Sequence, residues 1–375
     1  MNGKSVDDVM PKPSGRLSSV YSGHLGVDAG NEDRKTDCKG ADATFAALDL
    51  GTNNCRMLVA QKEGFLDSGG FSVIDSFSRI TRLGEGLSAS GQLSIGAMNR
   101  TTEALKRCAE KMNHRNIKAS RNVATEACRR ASNCSEFLNR VEGETGLQLE
   151  IISAHEEATL VLKGCAALLD FTKPYAVIFD IGGGSTEVLF VEVSPNRSLF
   201  VRGCISLPMG VVTVAEDCGG GDLCSRTYAT VVTRVLRLLK SFEEVYGIGE
   251  KISTDSAQMI GTSGTVTTLG GLHMGLERYD RGIVDGITLD FETLYSISQA
   301  LCSMTLQQRA AEPCIGWQRA DLMLAGCAIL EAICHLWPVG KLRVADRGLR
   351  EGLLLDLINP TMIQVETIET NMLSG

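Results

Sequence analysis

The sequence predicts an α/β fold built from two similar halves, and three observations carry that prediction. An apolar run ending in an acid and small residues, Phe45-Ala46-Ala47-Leu48-Asp49-Leu50-Gly51-Thr52-Asn53, is followed at once by a second apolar segment at 56–60, as in a strand hairpin. The pattern returns at Ala176-Val177-Ile178-Phe179-Asp180, a Gly-rich turn and an apolar segment at 188–193, and Asp180 lies 131 residues after Asp49 (180 − 49). Behind each hairpin, strand and helix patterns alternate, which is the signature of an α/β domain and, repeated, of a duplicated one.

Taken in order, the first half continues with helical spacing at 95–112, a short strand at 122–125, a helix at 134–145 and a strand at 149–152. Ser153 and Glu156 fit a capping box that opens a helix running to about 169. Lys173-Pro174 marks the boundary between halves. The second half adds a strand at 199–207, a long amphipathic helix at 228–246, and a strand at 257–260 that ends in Gly261-Thr262-Ser263-Gly264-Thr265. Helices follow at 291–304 and 320–337, the latter apolar on nearly every side and therefore expected between other elements. A strand at 342–345 and a helix at 348–357 finish the fold. The expected units are a polar tail at 1–44, domains at 45–172 and 173–358, and a short tail at 359–375.

Composition agrees with that division and narrows the function. At about 150 residues per domain, 375 residues give two to three units, and 43% hydrophobic residues suffice to bury their cores. Glycine is 40 of 375, above the usual ~7%, which points to tight backbone turns. A net charge of −8 argues against a general nucleic-acid binder, so an anionic ligand needs local cations, backbone amides or a metal. The 13 cysteines form no C-x-x-C pair and no zinc-spaced cluster, and read as reduced thiols of a cytoplasmic protein. The stretch 256–276 lacks charge but is too rich in Gly, Thr and Ser to span a membrane, and 1–44 has no apolar core for a signal peptide.

Gly-rich turns at strand ends expose consecutive N–H groups that surround phosphate oxygens. There are three: Gly51-Thr52-Asn53, Gly182-Gly183-Gly184-Ser185 and Gly261-Thr262-Ser263-Gly264, the last opening a helix whose N-terminus favours anions. Asp180 and Glu187 bracket the second turn, and carboxylates beside phosphate imply a hard cation, Mg2+ with several waters, with Asp49 as a third, water-mediated partner. Glu187 could equally be a solvated strand residue. Glu157 shares a helix face with Val161, Gly164 and Leu168, which suits either a general base with a raised pKa or one half of a buried structural ion pair. Arg129 follows the strand at 122–125 and is a phosphate-binding guanidinium or a surface arginine. His155 and His273 receive no role.

At this point the sequence resembles a known family. The carrying segments are Ala47-Leu48-Asp49-Leu50-Gly51-Thr52-Asn53, Arg82-Leu83-Gly84-Glu85-Gly86-Leu87, Ala124-Thr125-Glu126-Ala127-Cys128-Arg129 and Ile151-Ile152-Ser153-Ala154-His155-Glu156-Glu157-Ala158, then 180–187, 261–265 and Asp346-Arg347-Gly348-Leu349-Arg350-Glu351-Gly352. In this order they resemble the exopolyphosphatase and guanosine pentaphosphate phosphatase branch of the sugar kinase, actin and chaperone ATPase superfamily. The resemblance implies two ribonuclease H-like domains with the site in the cleft between them. It implies Glu157 as the catalytic glutamate, Asp180 and Glu187 as metal-linked acids, and Asn53, Arg129, Gly182, Gly183, Gly184 and Ser185 as phosphate contacts. The chain departs from the family at Ala154-His155 and Asn54. The matches end near Ile358 without further helical domains, which argues against processive handling of long polyphosphate. The expected activity is hydrolysis of a terminal phosphoanhydride with Mg2+, on polyphosphate or guanosine pentaphosphate, with no nucleic-acid or membrane partner and a homodimer left open. The rival from another class is an actin- or chaperone-like ATP-driven switch.

Overall fold

A computed structural model describes residues 43–62, 70–220 and 222–367. The expected tail at 1–44 therefore lies almost wholly outside the described residues, and Thr44 already opens a strand. The first sheet begins with β1 (Thr44–Leu50), β2 (Asn54–Lys62) and β3 (Phe71–Ile80), each antiparallel to the last. The short α1 (Leu87–Ser90) and long α2 (Ile95–His114) lead to β4 (Ala119–Ala124), and α3 (Glu126–Arg130) and α4 (Cys134–Thr145) lead to β5 (Glu150–Ile151). Its order is β3-β2-β1-β4-β5, with β4 parallel to β1 and β5 parallel to β4.

After α5 (Ala154–Cys165) the design repeats. The antiparallel set β6 (Tyr175–Ile181), β7 (Thr186–Val193) and β8 (Leu199–Leu207) is followed by α6 (Val211–Asp217), α7 (Ser225–Tyr246), α8 (Ile248–Ser253) and β9 (Ala257–Thr262). Then come α9 (Gly264–His273), α10 (Arg281–Val284), β10 (Thr288–Asp290), α11 (Phe291–Ser303), α12 (Leu306–Ala311), α13 (Met323–Leu336) and β11 (Lys341–Ala345). The chain closes with α14 (Leu349–Ile358) and β12 (Val365–Thr367). The second sheet reads β10-β11-β9-β6-β7-β8-β12, so β8-β7-β6-β9-β11 repeats the arrangement of the first. The duplicated α/β fold expected from the two Asp-Gly hairpins is present.

Strand periodicity explains the layering. In β1, Ala46, Leu48 and Leu50 face α2 and α4, while Phe45 and Ala47 face a core shared with Ile178 of β6. In β6, Val177 and Phe179 turn the other way, into a third core that includes Val235 of α7 and Ile329 of α13. Between the sheets, α5 packs on β6, β7 and β8, and α14 packs on β1, β2 and β4. Relative to a division at 172/173 along the chain, each helix rests on the sheet of the other half. The two helices touch where side chains are absent: a Cβ on Gly164 would lie 2.0 Å from the Gly348 carbonyl oxygen, and one on Gly352 would lie 2.0 Å from that of Leu160.

Several elements depart from expectation. Ser153 caps α5 through Glu156 N–H (3.1 Å), but Glu156 pairs with Arg121 instead of reaching back, so the box is half formed. The helix ends at Cys165 and tightens into a 3₁₀ turn, Ala166–Leu168, rather than running on to 169. Within the expected tail at 359–375, Val365–Thr367 adds a parallel edge strand to β8. No helix among the described residues is long and apolar enough to cross a membrane, and the described cysteines are free thiols.

Candidate active site

A cleft of about 510 Å³ opens where the two hairpin turns meet. The β1–β2 turn is closed by Gly51 N–H donating to Asn54 O (2.9 Å), and Thr52 and Asn53 O accept from Gly84, Thr81 and Arg82 N–H. Opposite it, the β6–β7 turn gives its carbonyls to α6: Val211 N–H donates to Gly182 O (3.0 Å), Val212 N–H to Gly183 O (2.8 Å) and Thr213 Oγ1 to Gly184 O (3.1 Å). Across a trans peptide the next N–H points the opposite way. The N–H groups of Gly183, Gly184 and Ser185 therefore point away from α6, and all three residues line the cleft. A side chain would crowd the facing turn, since a Cβ on Gly183 would lie 3.0 Å from Asn53 N and one on Gly184 2.6 Å from Thr52 Oγ1.

The third turn contributes Ser263 and Gly264. Ser263 takes φ 122°, a left-handed conformation rare for any residue but glycine, and strain of this kind concentrates at functional sites. It holds the N-terminus of the ten-residue α9 against the cleft. Four buried polar atoms around the cleft, Thr52 Oγ1, Asn53 Oδ1, Asn54 Oδ1 and Ser263 Oγ, have no partner among the described residues. Buried orphans are uncommon and call for a ligand or water. Gly261 does not belong with them. It lies inside β9, where a Cβ would strike the Phe179 ring at 2.5 Å, so it is a packing glycine rather than a phosphate contact.

Glu157 lies in the first turn of α5, 9% exposed, and lines the cleft. Its Oε2 accepts from Arg129 Nη1 at 2.8 Å. Burial, then the charge of Glu187, pushes its pKa well above the ordinary carboxylate range, and Arg129 opposes the rise. Arg129 is placed differently from expectation. Its other donors go to Glu126 (3.0 Å) and to Ile152 O (2.9 Å), and it lies behind the cleft lining, where its guanidinium holds Glu157 in place. Glu157 is thus one half of a buried ion pair and at the same time part of the cleft lining.

Asp180 and Glu187 are direct partners across the β6–β7 hairpin. Asp180 lines the cleft, whereas Glu187 sits one layer back and accepts from Ser206 Oγ at 2.8 Å. Burial, then Glu187, raises the Asp180 pKa to about 7, and burial also raises Asp49 and Glu187. Among the described residues no three His, Cys, Asp or Glu side chains converge as a metal cage. The donor set nonetheless suits Mg2+, which is usually held by one or two carboxylates with waters and phosphate oxygens.

The sign of this effect gives a testable pH dependence. Asp180 holds its proton more tightly folded (to about 7) than unfolded (3.8), so in metal-free protein its stabilising contribution is full below about pH 4 and is lost as pH rises through 7. Thermal melts in chelator should show this decline, and Asp180→Asn should flatten it. The increase in Tm caused by Mg2+ should be larger at pH 8 than at pH 5, because only the ionised carboxylate binds the cation. Equal Mg2+ shifts at both pH values would exclude Asp180 from the metal site.

Sequence reasoning missed the arginines. Arg56 of β2, Arg319 and Arg350 of α14 line the cleft with guanidinium groups that make no hydrogen bond or ion pair among the described residues, supplying the local positive charge that the net −8 lacks. Arg56 was findable, since it stands opposite Asp49 in the hairpin register and between buried Cys55 and Met57.

The chain matches the model of the Ppx/GppA phosphatase family over residues 58–360. It is 29% identical over 322 residues to exopolyphosphatase 2 of Mycobacterium tuberculosis, a match covering 83% of this chain and 98% of that protein. It is 29% identical over 315 residues to the guanosine-5'-triphosphate,3'-diphosphate pyrophosphatase of Aeromonas salmonicida, with 84% of this chain but only 59% of that longer protein covered. The crystal structure of the Aquifex aeolicus Ppx/GppA family member superposes with a TM-score of 0.68 at 28% identity, covering 86% of this chain and 99% of that one. With the fold, the paired turns and the sequence in agreement over most of its length, the chain belongs to the Ppx/GppA phosphatase family.

Proposed function

We propose that the protein hydrolyses the terminal phosphoanhydride of inorganic polyphosphate, releasing orthophosphate, and that guanosine pentaphosphate is the second substrate the same groups accept. The observation that carries this reading is the placement of a buried, arginine-held Glu157 at a cleft bounded by two facing N–H-rich turns. The N–H groups of Gly183, Gly184 and Ser185, with Asn53 and the N-terminus of α9 at Ser263 and Gly264, bind the terminal phosphate. Arg56 and Arg350 balance the charge of the next phosphate groups. Glu157 accepts a proton from water as the water oxygen bonds to the terminal phosphorus and the bridging P–O bond breaks, leaving the negative charge on the shortened chain. Mg2+ held by Asp180 and Glu187, with Asp49 through water, would offset charge on the bridging and leaving oxygens. The relative matched over 98% of its length carries the exopolyphosphatase name, which supports polyphosphate as the first choice. Free thiols throughout the described residues suit the reducing cytoplasm.

The test is direct. With Mg2+, orthophosphate release from polyphosphate or guanosine pentaphosphate should exceed that from ATP by at least tenfold. Fast ATP turnover with neither other substrate cleaved would overturn the proposal in favour of an ATP-driven switch.

A further inference from the structure

The cleft continues outward. Ser78 of β3 and Arg319 border both the main cleft and a shallower depression whose rim carries Arg79, Trp317 and Gln318. Trp317 is 65% exposed, while the protein's other tryptophan, Trp337, is fully buried. The loop bearing it is anchored just after the tryptophan by two arginines. Buried Arg309 donates to Ala320 O (3.3 Å), and Arg82, from the other half of the molecule, donates to Gln318 O (3.3 Å) and pairs with Asp321 (2.9 Å). The backbone is thus fixed while the indole stays open to solvent. Beside it, the guanidinium groups of Arg79 and Arg319 make no hydrogen bond or ion pair among the described residues.

An extended polyphosphate would engage the guanidinium groups but has no use for an indole face. A nucleoside polyphosphate uses both, through base stacking on the ring and phosphate contacts to arginine. We propose that Trp317, with Arg79 and Arg319, forms a subsite for the nucleoside end of a nucleoside polyphosphate whose terminal phosphate lies in the main cleft. The orientation rests on the phosphoanhydride hydrolase reading above, whereas binding of the base does not.

Two measurements on the full chain separate these. In chelator, GDP should quench tryptophan emission of the wild-type protein and not that of Trp317→Phe, where only buried Trp337 remains, while inorganic tripolyphosphate should leave wild-type emission unchanged. In turnover, Trp317→Ala should lower the ratio of kcat/KM for guanosine pentaphosphate over that for polyphosphate by roughly 5- to 150-fold, the range for losing a stacked base, chiefly through KM. Trp317→Phe should recover most of that ratio. No GDP quenching, equal quenching by tripolyphosphate, or an unchanged ratio in Trp317→Ala would overturn the subsite. If the wild type cleaves neither substrate, the hydrolase reading fails while the fluorescence titration still decides the subsite.

Discussion

Glu157→Gln is expected to lower turnover roughly 10²- to 10⁴-fold, the usual contribution of a general base, with little change in KM. The amide keeps the size of the side chain and can still accept from Arg129 Nη1, now 2.8 Å from the carboxylate, but it cannot take the proton of the attacking water. Affinity should hold or improve, because a negative charge leaves a site that binds an anion. Glu156→Gln is the internal control. Its carboxylate pairs with Arg121 and takes no part in the cleft, so the change should cost less than about twofold. Near-normal turnover in Glu157→Gln, or equal losses in both variants, would remove Glu157 from the chemistry.

The second large effect concerns the crossing of α5 and α14. In an open helix position, Gly→Ala stabilises by roughly 0.5–1 kcal/mol, and Gly143 of α4, with nothing within 4 Å of where the added methyl would sit, should behave so. At Gly352 the same methyl would lie 2.0 Å from a backbone oxygen and 2.8 Å from its carbon, neither of which can rotate aside. Overpacking of this kind costs roughly 1–3 kcal/mol and more where backbone must move. Gly352→Ala and Gly164→Ala should therefore destabilise strongly by denaturant titration. Activity should fall with stability, because separating the helices moves Glu157 on one and Arg350 on the other. A Gly352→Ala protein as stable as wild type would show that the helices do not meet as described.

What the sequence disclosed follows from how local each feature is. The two hairpins were legible because apolar runs, an aspartate and glycines lie within a few consecutive residues of Asp49 and Asp180. Strand β3 was not, since Ser72, Asp75, Ser76 and Ser78 give an edge strand no continuous apolar signal. Helix α3 has only five residues and β12 only three, too short for periodicity to register. Gly261 looked like part of a phosphate turn because nothing local announces that β9 runs on to Thr262 and presses that position against Phe179. For Arg129 a signal was present, since Glu126 stands three residues earlier and engages it (3.0 Å), but its second carboxylate, Glu157, arrives 28 residues later through the fold. The exchange of α5 and α14 between halves is wholly tertiary. Gly164 and Gly352 are visible as helical glycines, yet no local rule says what each must meet.

In the proposed reaction a water molecule placed by Glu157 attacks the terminal phosphorus. Hydrolysis of polyphosphate in H₂¹⁸O, followed by mass analysis of both products, tests it most directly. One ¹⁸O atom is expected in each released orthophosphate and none in the shortened chain. Label in the shortened chain, or release of pyrophosphate in place of orthophosphate, would contradict it.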